Sequence, residues 1–220
     1  MSINWGSQIE KVIADEGEKA LSWAFLHQHA QKRYNRLDVW INIPIIVLST
    51  LTGTASVGSE SLFGESAVAP VVIGLVALLV GVLNTLSSYF GWAKRTEGHR
   101  LCGIQYEKYH NFIRIELSLP RHERLAPTDF LKIVKEGFER LAETAPQIPD
   151  EVIKIYKERF GLCHDLSKPT IANGIDKIEI YSEAKEAQSR RESVIMDVIS
   201  DTQMAVAVEV PIAKKKPTWK

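Results

Sequence analysis

The sequence predicts an all-α protein built on a membrane-spanning helical hairpin, with amphipathic helices on either side and an extended C-terminal tail. Three observations carry this expectation. Two uncharged runs, "VWINIPIIVLSTLTGTASVG" at 39–58 and "SAVAPVVIGLVALLVGVLNTLSSYFGWA" at 66–93, follow one another closely. Between Asp38 and Lys94 the chain carries just two charges, Glu60 and Glu65, both in the short connector. Basic residues crowd the outer flanks of the two runs, and the connector "SESLFGES" has none. Bulk composition hides this partition: the 220 residues are 45% apolar and 25% charged, with a formal net charge of zero. Balanced charge gives no case for a nucleic-acid partner.

Four segments follow: an N-terminal cytosolic amphipathic helix at 1–38, the two-span transmembrane hairpin at 39–93, a cytosolic helical region at 94–164, and a charged extended tail at 165–220. The first segment is acidic at its start and lacks an apolar stretch, so it does not read as a signal peptide. Insertion then falls to the internal spans. Ser7 is a candidate N-cap for a helix over 7–37, with Ile9, Val12, Ile13, Ala20, Trp23, Ala24 and Leu37 as its apolar stripe.

A span needs about 20 mostly apolar residues. The first run just meets that length, diluted by Asn42, Ser49, Thr50, Thr52, Thr54 and Ser56; hydroxyls are tolerated where they bond back to the helix or to a neighbour. Pro44 either kinks this helix or sits in its first turn, and Pro70 fits the first turn of the second. The competing reading of both runs is a soluble hairpin buried in a bundle.

The flanks orient the spans. Lys32, Arg33 and Arg36 precede the first; Lys94, Arg95 and Arg100 follow the second. The positive-inside rule then places both termini in the cytosol. Trp40, Tyr89, Phe90 and Trp92 fall at the cytosolic borders, where aromatic rings favour the headgroup layer. Small residues mark a candidate helix-packing seam, Ser49 and Gly53 on one span with Gly74, Ala77 and Gly81 on the other. The seam joins either the two spans of one chain or two subunits. Ser49, Thr52 and Ser56 share one face and are candidate pore-lining residues. Asn42 and Asn84 suit an interhelical hydrogen bond better than a pore.

After the second span, "RTEGHRLCGIQYEKYHNFIRIELSLP" continues as a helix to Pro120, with Leu101, Ile104, Tyr109, Phe112 and Ile115 recurring every three or four residues. "RHERLAP" reads as a loop. Thr128 caps the next helix, in which Phe130, Ile133, Val134, Phe138 and Leu141 face inward and which Pro146 ends. A short helix starts at Pro149 or Asp150 and stops at Gly161. In the tail a charged helix is expected from about 182 to 200, then a β-prone "MAVAVEVPIA" able to extend a partner's sheet, then a basic end.

The sequence offers no catalytic, cofactor-binding or metal-binding pattern. "GLVALLVG" lacks the lysine of a phosphate loop. His27 and His29 are two apart on a helix and point to different faces. His99, His110, His122 and His164 form no ligand spacing, and Cys163 beside His164 is not a nucleophile–base geometry. Cys102 and Cys163 read as free thiols. The charges Glu97, Arg100, Glu107, Lys108 and Arg114 read as a solvated face, or as pairs across subunits.

A two-span hairpin with an amphipathic helix before it and "KRTEGHRLCGIQYEKYHNFIRIEL" after it resembles the SLATT family, over roughly residues 15–160. These are two-span effector domains associated with nucleotide-sensing bacterial defence modules, with relatives in large DNA viruses. The resemblance implies no catalytic residues; it implies oligomerisation in a membrane and perturbation of that membrane, including as a pore. The chain lacks a recognisable sensor domain, and its tail departs from the family pattern. Two functions are therefore expected in competition. One is a homo-oligomeric effector that permeabilises a bilayer. The other is a structural anchor, for example a minor capsid protein in the internal membrane of a virion, whose tail at 165–220 binds a protein assembly.

Overall fold

The computed structural model describes residues 5–58, 61, 63, 64, 66–163, 166–174 and individual positions between 182 and 199. Every regular element among them is α-helical. The connector glutamates Glu60 and Glu65, the segments 204–213 and 214–220, and much of the expected 182–200 helix lie outside the described residues.

The helices are α1 (Ser7–Val57), α2 (Val68–Phe90), α3 (Trp92–Ser118), α4 (Pro127–Thr144), α5 (Asp150–Phe160) and a single turn, α6 (Thr170–Asn173). The first of these is one unbroken helix of 51 residues, about 76 Å at 1.5 Å per residue. The expected boundary near Asp38 is therefore a change of environment and not a break in the backbone. Pro44 is accommodated inside α1. Its missing N–H leaves one carbonyl without a helical donor.

α2 and α3 run back along α1. Gly17 lies against Ile113, His27 against His99 and Asn42 against Ser87, which fixes an antiparallel register over the whole length. Between α2 and α3 stands Gly91, the C-cap of one and N-cap of the other, in the left-handed region at φ +59°. A side chain there costs about 1–2 kcal/mol, so glycine suits the point where one helix gives way to the next.

Two caps differ from expectation, and a third agrees with it. Gly6, in extended backbone, precedes α1, and Ser7 is already in the first turn. α4 starts on Pro127, whose fixed φ suits a first helical position, so Thr128 is not its cap. α5 begins at Asp150 after Pro149, and Gly161 follows its end.

The buried core lies in the half of the molecule holding residues 5–36 and 92–160. Trp5, Ile13, Ile113, Phe130 and Val134 form one cluster. Ala20, Ala24, Cys102 and Tyr106 form a second. Leu26, Ala30, Ile148, Val152 and Tyr156 form a third, under α5. Side-chain bonds fasten the edges. Glu10 accepts from Arg121 at 2.7 Å and Arg124 at 2.6 Å; these guanidiniums, Arg121 first, hold its carboxyl below the usual range despite burial. The Tyr156 hydroxyl donates to Ser22 Oγ at 2.8 Å. Arg33 pairs with Glu151 at 2.6 Å.

The apolar faces are not the expected ones. α3 buries His99, Cys102, Gly103, Tyr106 and Ile113, while Leu101, Ile104, Phe112 and Ile115 are exposed. Val12 and Leu37 of α1 and Ile133 of α4 are also exposed. The reason is distance. A Cβ on Gly17 would meet Ile113 Cγ2 at 3.1 Å, and one on Gly103 would meet Ala24 O at 3.7 Å. Small residues on the inner faces let the two backbones approach, and Ile113 fills the space that Gly17 leaves.

Candidate functional site

The other half of the molecule is built in the opposite way. Two helices, Ser7–Val57 and the second beginning at Val68, are long and apolar enough to cross a membrane. In their most apolar stretches 6% and 0% of residues are buried. Core helices of a soluble protein bury most of such a stretch, so these do not form a soluble core within one chain. Ile46, Val47 and Leu51 on α1 and Val71, Leu75, Leu78 and Val82 on α2 are all more than half exposed, except Val47 at 50%.

The line where α1 meets α2 uses Ile41, Ile45, Leu48, Thr52 and Ala55 against Ile73, Val76, Val80, Leu83 and Ser87, all buried or half-buried. The steps alternate between three and four residues, as in knobs-into-holes packing. At the end nearest Gly91 a polar lock closes this line. Ser87 Oγ donates to Asn42 Oδ1 at 3.0 Å, and Asn42 Nδ2 donates to Asp38 at 2.8 Å. Asn84, the other amide, is exposed. Hydroxyls inside the apolar stretches bond back to their own helices: Thr50 to the Ile46 carbonyl, Thr54 to that of Thr50 and Thr85 to that of Gly81, at 2.8–2.9 Å.

Beside that line runs a groove of about 560 Å³. Ser49, Thr52, Gly53 and Ser56 line one wall; Pro70, Ile73, Gly74, Ala77 and Val80 line the other. The residues singled out as a packing seam and those singled out as pore-lining thus fall in one place, with Gly81 outside the lining. A Cβ on Gly53, Gly74 or Gly81 would meet nothing within 4 Å. These glycines therefore permit no close contact between the two helices of one chain. They leave room on an open face.

At the level of Gly91 the surface changes from apolar to charged. Trp40 is 75% and Tyr89 82% exposed; Phe90 stacks on Trp92 with centroids 4.9 Å apart. Arg95 lies over the Tyr34 ring at 5.7 Å. Arg100 is paired with Glu97 at 2.6 Å on its own helix. Lys32, Arg36 and Lys94 are exposed.

Two turns further along lies a feature that sequence reasoning missed. His27 and His99 are 0% and 1% exposed, and their Nδ1 atoms are 2.9 Å apart. Trp23, Tyr34 and Tyr106 close around them. One imidazole donates and the other accepts, and burial favours the neutral form of both. Burial, then the neighbouring His99, pushes His27 down to about 4; burial, then Arg95, does the same to His99. His27 Nε2 is buried without a partner, which fits His27 as the Nδ1–H donor with a bare lone pair at Nε2. The pair was legible in principle: antiparallel helices joined by a short connector set residues equally far from it face to face. Among the described residues no group of three or more His, Cys, Asp or Glu is placed to hold a metal ion. Cys102 and Cys163 are free thiols, the first buried and the second exposed.

No family model matches the chain, and no curated protein or solved structure matches it.

Proposed function

We propose that the chain is a non-enzymatic integral membrane protein. In this reading the second half of α1 and all of α2 cross the bilayer as a hairpin, with both termini and α3–α5 on the cytosolic side. Copies associate through the groove and permeabilise the membrane. The observation that carries the reading is the groove itself. It places three hydroxyl-bearing residues and two glycines together on a face that is otherwise aliphatic and exposed. In lipid, apolar side chains have no hydrophobic driving force to meet one another, whereas small residues and hydroxyls support close helix association. Effector activity of this kind is also what the resemblance to the SLATT family implies.

The test is dye release from liposomes carrying the purified full chain. Wild type is expected to leak, and Ser49→Leu, Thr52→Leu and Ser56→Leu together are expected to abolish leakage while insertion persists. Unchanged leakage in the triple variant removes the groove from the account. Tight vesicles with stably inserted wild type favour the competing anchor, whose binding segment would be 165–220.

A further inference from the structure

We propose that the collar at the cytosolic end of the hairpin is a binding surface for anionic phospholipid headgroups, formed by Lys32 and Arg36 of α1 and Lys94 of α3. The proposal rests on the membrane reading above and adds a lipid class to it. Six cations stand near this level, and the structure divides them into two groups. Arg33 is paired with Glu151 and Arg100 with Glu97, while Arg95 covers the Tyr34 ring. Lys32, Arg36 and Lys94 make no ion pair among the described residues and are exposed. Of the three acids at this level, Glu151 and Glu97 are taken up by Arg33 and Arg100, and Asp38 accepts from Asn42, so six cations face three carboxylates. The collar therefore carries an excess of positive charge that the described chain does not neutralise.

Its placement matches a headgroup layer. Lys32, Arg36 and Trp40 follow at four-residue steps, so they descend one face of α1 toward the apolar stretch. The contact between Tyr34 and Arg95 brings Lys94 to the same level on the opposing helix. Trp40 and Tyr89 stand exposed just below the charges. An amphipathic ring at the interface with a cation above it suits a phosphodiester carrying a net negative charge. A zwitterionic headgroup brings its own cation and cancels the attraction.

The full chain is reconstituted in vesicles holding equal mole fractions of brominated phosphatidylserine or brominated phosphatidylcholine, and tryptophan quenching is read. Phosphatidylserine is expected to quench more strongly than phosphatidylcholine. In Lys32→Gln, Arg36→Gln and Lys94→Gln combined, the preference is expected to fall by at least about fivefold, the effect of one interfacial charge. The charge-keeping set Lys32→Arg, Arg36→Lys and Lys94→Arg is expected to retain it. Equal quenching by the two lipids in wild type, or an undiminished preference in the glutamine variant, overturns the proposal and leaves the membrane reading standing. Absence of quenching by either lipid overturns both.

Discussion

The two halves of α1 belong to one continuous helix and obey opposite rules. Residues 7–36 are rich in charge, yet they bury Ile13, Gly17, Ala20, Ser22, Ala24, Leu26, His27 and Ala30. Residues 39–57 carry no charge, yet among them Ile45 is the one buried residue. The more apolar half is the more exposed half. In water, a contiguous apolar surface of this extent is costly and rare on a monomer. The difference teaches that the two halves are folded for different solvents: one makes its own core, and the other relies on what surrounds it.

The sharpest way to break this comparison is to place the same charge in each half. Leu78→Lys lies mid-way along α2, at a residue 70% exposed. In a bilayer it should cost about 2.5–3.5 kcal/mol, read as protein lost from the pellet after alkaline extraction of membranes. Leu101→Lys on α3, 47% exposed, should change stability by less than about 0.5 kcal/mol. Equal effects would erase the distinction.

A glycine in each half gives the next contrast. Gly17→Leu drives a side chain into Ile113 and should destabilise the packed half by about 1–3 kcal/mol, visible as a lowered Tm in detergent. Gly53→Leu meets open space. It should leave that Tm unchanged while reducing cross-linking between copies, because it fills the groove.

The histidine pair adds a pH dependence confined to the packed half. His27 and His99 titrate near 4 when folded, against about 6.5 when unfolded. Between those values the unfolded chain binds more protons, so stability falls as pH falls from 6.5 to 4 and is flat above that window. The slope is at most about 1.4 kcal/mol per pH unit for each histidine. His27→Leu combined with His99→Leu should flatten it, since neither partner is left unsatisfied. An unchanged slope in urea titrations across this window would show that other groups carry it. Glu10 acts lower: its folded-state value lies below 4.5, so its contribution holds above that pH and is lost beneath it. A modest effect is expected at the junction. Gly91→Ala, at φ +59°, should cost about 1 kcal/mol, read by denaturant titration of the same variant series.

The sequence made the all-helical class and the two apolar stretches legible, because a long run without charge has few other meanings. It was less informative about which faces meet. The Leu101, Ile104, Phe112 and Ile115 stripe is more apolar than the face that α3 buries, and periodicity follows hydrophobicity. What decided the packing was backbone approach through Gly17, Ala20, Ala24 and Gly103, a matter of side-chain volume. Small residues in the apolar stretches mark an open groove, whereas those in the charged half make the contact. The pairing of His27 with His99 has no local signal, because they are 72 residues apart and meet only once the antiparallel register is fixed.

The most direct test of the two-solvent account is labelling of single cysteines in vesicles with a membrane-impermeant maleimide. In a background carrying Cys102→Ala and Cys163→Ser, cysteine replaces Leu78 or Leu101, both exposed residues. The account predicts rapid labelling at position 101 and protection at 78, lifted when sodium dodecyl sulfate dissolves the vesicles. Equal, rapid labelling at both positions in intact vesicles would contradict it.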